Sequence, residues 1–365
     1  MNTVTTIRSA CESLVCRLAN QWYVMVMGTS GVAVASQLLP NRLRLTGVAF
    51  WVAGSVLLVW AITCSIVGRS DSAADARETG RDDIAQPEEQ SLLSGTAPVA
   101  IMTVGAATRL TTQRSSGRSL AELTSWSLVS VGTGLALVVY ATYSCILART
   151  VAEQLRGSRK PRISLRWLMP FVPPMVSATS GAYLLDSELI QSTFLRSILL
   201  LTCWFMFLLA VLAFGVIAFL ALLSESGRSI DNPWIALGVV GQSVTATSLI
   251  SDADAAGSAS LTLSDVYAAS IGVVGTMAYA AVLARTIQHL WNGLPFALSW
   301  WSFVFPTVTF VSAFAAAARA FQGHTASHVL TWIAGMFFVL LLNAWTVAAT
   351  GTIYRALFRN PGLYD

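Results

Sequence analysis

Residues 198–223 read ILLLTCWFMFLLAVLAFGVIAFLALL, 26 positions without a charged side chain. Apolar residues fall on every side of such a run, not on the one stripe that a surface helix turns toward a core. Coiled as a helix it reaches ~39 Å at 1.5 Å per residue, more than the ~30 Å hydrocarbon thickness of a bilayer. Comparable runs recur along the chain. Of its 365 residues, 55% are hydrophobic and 11% charged, against about a quarter charged in soluble domains. In lipid only helices and closed barrels satisfy every backbone group. These runs are continuous, unlike the short alternating segments of a barrel. The expected class is an all-α integral membrane protein.

Breaks in the apolar pattern place ten spans near 22–39, 46–67, 96–109, 122–148, 167–185, 196–224, 233–250, 264–288, 296–319 and 328–353. They pair as five helical hairpins. The even spans are plain and greasy, as in WVAGSVLLVWAITCSIV (51–67). The odd spans are shorter and carry Gly, Ser, Thr and Pro: MVMGTSGVAVASQ, TAPVAIMTVGAAT, MPFVPPMVSATSGA, ALGVVGQSVTATS and FVFPTVTF. They begin roughly 65–75 residues apart, the period of a repeated hairpin. Small residues let helices approach closely in any membrane bundle. Prolines and hydroxyls imply more, because freed backbone groups are tolerated at membrane depth only inside protein or beside a water-filled cavity. Five such helices would form an inner ring around a central pore, with five greasy helices outside. LPFALSWWSFVFPTVTF (294–310) is the sharpest case. Pro306 in this uncharged run is expected to bend the helix and aim the preceding ring at the path.

Charge narrows the function. The net +4 comes from 22 basic and 18 acidic residues. They lie in loops without the basic and aromatic interleaving of a nucleic-acid surface, so no nucleic-acid partner is expected. Fifteen of the 22 Lys and Arg fall on the side shared by the two termini, which the positive-inside rule makes cytoplasmic. Residues 1–21 place Ile7, Cys11, Leu14, Val15 and Leu18 on one face, suiting a short surface helix. Domain organisation follows: this amphipathic segment, a ten-helix domain over 22–353 with an acidic cytoplasmic loop at 69–95, and a cytoplasmic tail at 354–365. The basic tract at 149–166 suits anionic lipid heads. GVAVAS (31–36) contains an Ala-x-Ala, but the polar prelude before Trp22 is not strongly basic, so cleavage is not expected. The cysteines form no CxxC pattern, and His324 and His328 have no third ligand nearby, so neither metal nor cofactor is expected. No ionisable residue falls mid-span; Arg109, Asp186 and Arg319 sit at span ends. That argues against an acidic cation pore or a carboxylate-driven pump. A path of hydroxyls, small residues and helix-end amides suits anions.

WWSFVFP (300–306) resembles the Trp-Trp-x-aromatic-x-Phe-Pro motif of the tellurite-resistance/dicarboxylate transporter family. That family includes bacterial tellurite-resistance channels, yeast malate permeases, sulfite efflux pumps and plant guard-cell slow anion channels. WYVMVMGTSGVAVA (22–35) resembles its first-helix signature, VPPMVSATSGA (172–182) its Pro-Pro fifth helix and GVVGQSVTA (238–246) its Gly-Gln seventh helix. The resemblance implies five hairpins around a pore, assembled as a homotrimer in the plasma membrane. It implies Phe305 as the gate, with Gly28, Thr29, Ser30, Pro174, Ser177, Gly241, Gln242, Phe303 and Pro306 along the path. Ser30 stands where relatives often have Gly, and Val304 where they have Ser or Thr; both departures bear on substrate preference. The cargo so implied is a small anion, a C4-dicarboxylate such as malate first, with sulfite, tellurite or another inorganic anion the alternative. A membrane enzyme or sensor is the other class, and no Ser-His-Asp or metal constellation supports it.

Overall fold

A computed structural model describes residues 19–39, 43–79, 93–113, 118–156, 163–190, 192–223, 231–254, 263–293 and 296–358. Among these residues the regular structure is entirely helical. Ten α-helices follow one another: α1 (Ala19–Leu38), α2 (Arg44–Thr79), α3 (Thr96–Thr112), α4 (Arg118–Leu155), α5 (Pro173–Leu184), α6 (Thr193–Leu223), α7 (Asp231–Asp254), α8 (Leu263–Trp291), α9 (Val304–Ala320) and α10 (Thr325–Phe358). Seven of them, α2, α4 and α6 to α10, are long and apolar enough to cross a bilayer. The chain is an all-α, multi-pass membrane protein.

Two populations separate by burial. In their most apolar windows α7 and α9 are 78% buried, whereas α2, α4, α6, α8 and α10 lie between 11% and 28%. Helices α3 and α5 are buried almost throughout. The large apolar side chains that α2, α4 and α8 expose are mostly Val, Leu and Ile, with Met277 and two tryptophans, Trp60 and Trp291, a surface suited to lipid. Packing among the odd helices closes on itself: α1 lies against α3, α3 against α5, α5 against α7, α7 against α9, and α9 against α1. Outside this ring α2 packs on α1 and leans on α3, α4 on α3 and α5, α6 on α5 and α7, and α10 on α9 and α1. The pattern lapses at α8, which packs along α7 without the same backbone approach to α9. A crevice of about 420 Å³ is left between α8 and α10, with Phe310 and Phe314 of α9 on its floor. Tyr279 of α8 bridges to α9 through a 2.8 Å hydrogen bond with Thr307.

Missing side chains bring the inner helices together. A Cβ on Gly31 would lie 2.7 Å from a Val308 methyl, and one on Gly28 3.0 Å from the Trp301 ring. On the other flank of α9, a Cβ on Gly241 would meet Thr309 and Phe310. Pro306, expected to bend its helix, lies in the first turn instead, and Pro173 opens α5. A 3-10 turn over Leu165–Phe171 leads into α5 at Pro173, and another over Leu298–Phe303 leads into α9, with Pro306 in its first turn. The first-turn amides have no intrahelical acceptor, so a proline costs nothing there. The two lead-in turns share a spacing, Leu165-x-Trp167 before Pro173 and Leu298-x-Trp300 before Pro306.

Helix ends depart from the expected boundaries. Helix α2 continues to Thr79, into the stretch read as loop 69–95, and α10 reaches Phe358 in the stretch read as tail. SDSAADARET is polar but rich in helix formers, so the apolar run marks where a bilayer ends and not where the helix does. Residues 1–18, 80–92 and 359–365, which carry most of the expected surface helix and tail and about half of the expected loop, lie outside the described residues.

One ion pair is sealed in the protein. Arg109 of α3 and Glu122 of α4 are 2% and 3% exposed, with 2.8 Å between Nη1 and Oε1. Arg109 Nη2 donates to the Asp186 carbonyl at 2.7 Å, and Ser187 donates to Glu122 at 3.3 Å. Two helices and the end of α5 are thereby tied by charge-assisted bonds.

Gly31→Val is expected to destabilise the protein by about 1–3 kcal/mol through overpacking, read as a lower melting temperature in detergent. Gly134→Ala, where a Cβ meets nothing within 4 Å, should melt like the wild type. Glu122→Gln leaves the Arg109 charge buried and should cost about 3–5 kcal/mol. The double replacement Arg109→Met with Glu122→Leu should recover part of that loss in the same melt.

Candidate functional site

Two cavities lie among the inner helices, one at each end of the ring: the narrower is walled by four of them and the turn before α5, the wider by all five. The first lies among the amino-terminal ends: Val24 and Met27 of α1, Thr96 and Val99 of α3, Val172 just before α5, Gly238 of α7, and Phe305 and Pro306 of α9. Its volume is about 30 Å³, close to a single water's share of liquid. Phe305 is 7% exposed, and Gly238 faces its ring. The walls are mostly apolar, and the buried Ser302 hydroxyl beside them has no hydrogen-bond partner.

The second cavity is wider, about 260 Å³, and polar. It gathers the carboxy-terminal ends: Gln37 of α1, Arg109 and Gln113 from α3 and its cap, Tyr183 and Asp186 from the end of α5, Asp252 of α7 and Arg319 of α9. Arg196 joins them from α6. Amino-terminal ends meet at one cavity and carboxy-terminal ends at the other, so the five inner helices run parallel. Phe305 and Arg319 are ~21 Å apart along α9.

Between the cavities the inner helices are largely buried, and several of their hydroxyls donate to carbonyls of their own helix. Thr103 donates to the Val99 carbonyl, Thr245 to that of Gly241, Thr309 to that of Pro306 and Ser312 to that of Val308, all at 2.7–3.0 Å. A hydroxyl at membrane depth takes the nearest backbone acceptor.

Parallel helices make the two ends electrically unlike. The backbone amides of all five helices are directed toward the Phe305 end of the ring, and the carbonyls toward the wider end. Arginines answer the carbonyls. Arg196 donates to Leu185 at 3.1 Å and Ala253 at 2.9 Å, joining the ends of α5 and α7, and Arg319 Nε reaches the Ala315 carbonyl at 3.4 Å. Among the described residues no carboxylate lies within ion-pair distance of Arg196 or Arg319.

Of the residues expected along the path, Phe305 and Pro306 line the narrow cavity. Gly28 and Gly241 instead form seams with α9. Thr29 faces outward and accepts a 3.1 Å bond from Trp345 of α10. Ser30 sits against Gly54 of α2, its buried hydroxyl unpartnered. Ser177 bonds to Thr133 of α4 at 2.6 Å. Gln242 donates to Thr179, joining α7 to α5 at 2.8 Å. Pro174 is buried in the first turn of α5. Phe303 packs on Trp234, with centroids 5.1 Å apart. Val304, fully buried, packs near Gly28. An inner helix has inner neighbours on two sides and an outer one behind, so a motif identifies the helix and leaves the face open. The arginine-rich cavity escaped the sequence reading. Arg109, Asp186 and Arg319 were visible at span ends, but nothing placed them together with Arg196 and Asp252. Among the described residues no three His, Cys, Asp or Glu side chains are grouped to hold a metal ion.

Comparison with known families matches residues 17–353 to the one described as voltage-dependent anion channel. No curated protein shows a significant match. The matched segment takes in all ten helices except the last turn of α10. The chain therefore belongs to the voltage-dependent anion channel family, as its likeness to the tellurite-resistance/dicarboxylate transporters implies.

Proposed function

We propose that the ring of inner helices is a gated conduit for small anions, in a fold of ten membrane-crossing helices arranged as five hairpins. The observation that carries this reading is that the wider cavity is walled by all five inner helices and the narrow one by four of them and the turn leading into α5, which supports one axis through both. Phe305 stands on that axis in the narrow cavity and is the gate. Pro306 follows it in the first turn of α9 and helps fix its place. Met27, Val99 and Val172 complete a dry constriction around the ring, and such a constriction stops ions by refusing them water.

The sign of the cargo follows from the backbone. Converging helix amino termini favour negative charge, and no carboxylate lines the narrow cavity. The basic residues of the loops put that cavity on the cytoplasmic side, with both termini inside and the protein in the plasma membrane. A C4-dicarboxylate such as malate is the leading cargo, and sulfite, tellurite or another inorganic anion the alternative. Each subunit of a homotrimer would carry its own conduit, and the chain acts as a transporter or channel, not an enzyme.

In proteoliposomes Phe305→Ala is expected to raise anion flux at least about tenfold, equivalent to about 1.4 kcal/mol off the barrier. Phe303→Ala, which empties a pocket beside Trp234, should change it far less. Unchanged flux in folded Phe305→Ala would remove the gate role. Reversal potentials over a panel of malate, sulfite, chloride and nitrate at two pH values would rank the cargoes and report any proton coupling.

A further inference from the structure

Phe305 belongs to the first turn of α9, and the chain enters that helix through the 3-10 turn Leu298–Phe303. Such turns make poorer hydrogen bonds than an α-helix, and Pro306 brings no amide to the ladder. Backbone bonding alone holds this entry loosely, and side chains take over. Trp301, four residues before Phe305, is 4% exposed. Its Nε1 donates to the Thr352 hydroxyl of α10 at 3.0 Å. Thr352 donates in turn to the Ala348 carbonyl at 2.7 Å, which spends its proton and leaves it an acceptor for the indole. Trp345, two turns earlier on α10, stands edge-on to Trp301 with centroids 6.4 Å apart and donates to Thr29 of α1 at 3.1 Å. Phe296, just ahead of the turn, lies against Gly351, where a Cβ would overlap its ring. The Trp301 ring also packs on Gly28, the neighbour of Met27 in the constriction. Two indoles thus clasp α1, the entry to α9 and the outer helix α10 at one point.

We propose that Thr352 is a positioning residue for the gate: through Trp301 it holds Phe305 in the closed constriction, and the clasp loosens when the ring leaves. The inference rests on the reading of Phe305 as the gate and assigns what keeps it shut. The cavity beside that ring is about 30 Å³, too small for a phenyl group to turn aside into. Clearing the path therefore requires the entry turn to shift, and Trp301 shifts with it. Its acceptor stays on another helix, and a hydrogen bond weakens steeply once distance and angle are lost. A bond made in one state and lost in the other biases the equilibrium by its own worth, whereas a contact common to both shifts nothing. One net hydrogen bond corresponds to a factor of about five in the open population.

The test is flux of chloride and of malate in proteoliposomes carrying the full chain. Thr352→Val keeps the shape and removes the acceptor, and should raise flux about fivefold. Thr352→Ser restores a hydroxyl and should return flux to the wild-type level. Thr350→Val is the control: that exposed hydroxyl bonds only within α10, and flux should not change. In a Phe305→Ala background Thr352→Val should add nothing, since no ring is left to hold; a contact that merely stabilises the fold would show no such dependence. Should Thr352→Val fail to fold, Trp301→Phe keeps a ring beside Gly28, drops the donor and carries the same expectations. Wild-type flux in folded Thr352→Val overturns the proposal. So does Thr352→Ser leaking like Thr352→Val, or a full rise on top of Phe305→Ala. Phe305→Ala alone separates the two readings. A rise there with none in Thr352→Val sinks the clasp and leaves the gate. A rise in Thr352→Val with none in Phe305→Ala sinks the gate and leaves the clasp restraining another part of the constriction.

Discussion

Close backbone approach at α9 is what the ring depends on. Inside a bilayer burial of apolar surface does not draw helices together, since the lipid is as apolar as the protein. Association then rests on fitted van der Waals contact and on hydrogen bonds between helices. Gly28 and Gly31 of α1 admit Trp301, Val304 and Val308, and Gly241 of α7 admits Thr309 and Phe310. Both flanks of α9 are therefore seams of small residue against large. Phe305 projects from the first turn of a helix clamped on two sides, so its ring has a defined place.

The architecture was legible because membrane solvation writes itself into composition. Runs such as 198–223 can be nothing but spans, and the contrast between greasy even and small-residue odd helices separated outer from inner elements. Even α1, α3 and α5, which fall short of spanning on length and hydropathy alone, were found by that contrast. Direction was harder to read. Thr29, Ser30 and Ser177 lie on the inner helices expected, yet they turn to α10, α2 and α4. A periodicity of 3.6 names a face only when one side is polar for water, and in these helices every side meets protein. Pro306 misled for a related reason: a proline in an apolar run looks internal until the preceding turn is known to be 3-10.

The charges were the least legible feature. Each arginine at the wider cavity looks like an ordinary span-end residue taken singly. They become a group because the carboxy-terminal ends of five helices finish at one level, which is a property of the topology. Arg109 carries two duties there. It holds α3 to α4 and to the end of α5 through an ion pair sealed from solvent, and it forms part of the wall of the wider cavity.

Hairpins joined in series have a consequence for the conduit as a whole. Because each inner helix is reached by an outer return, all five must run the same way, and their backbone dipoles add instead of cancelling. Side chains such as Arg196 answer the carbonyl ends locally without reversing the dipoles. The two mouths of the proposed conduit therefore differ electrically before any side chain is chosen, a difference set by chain connectivity.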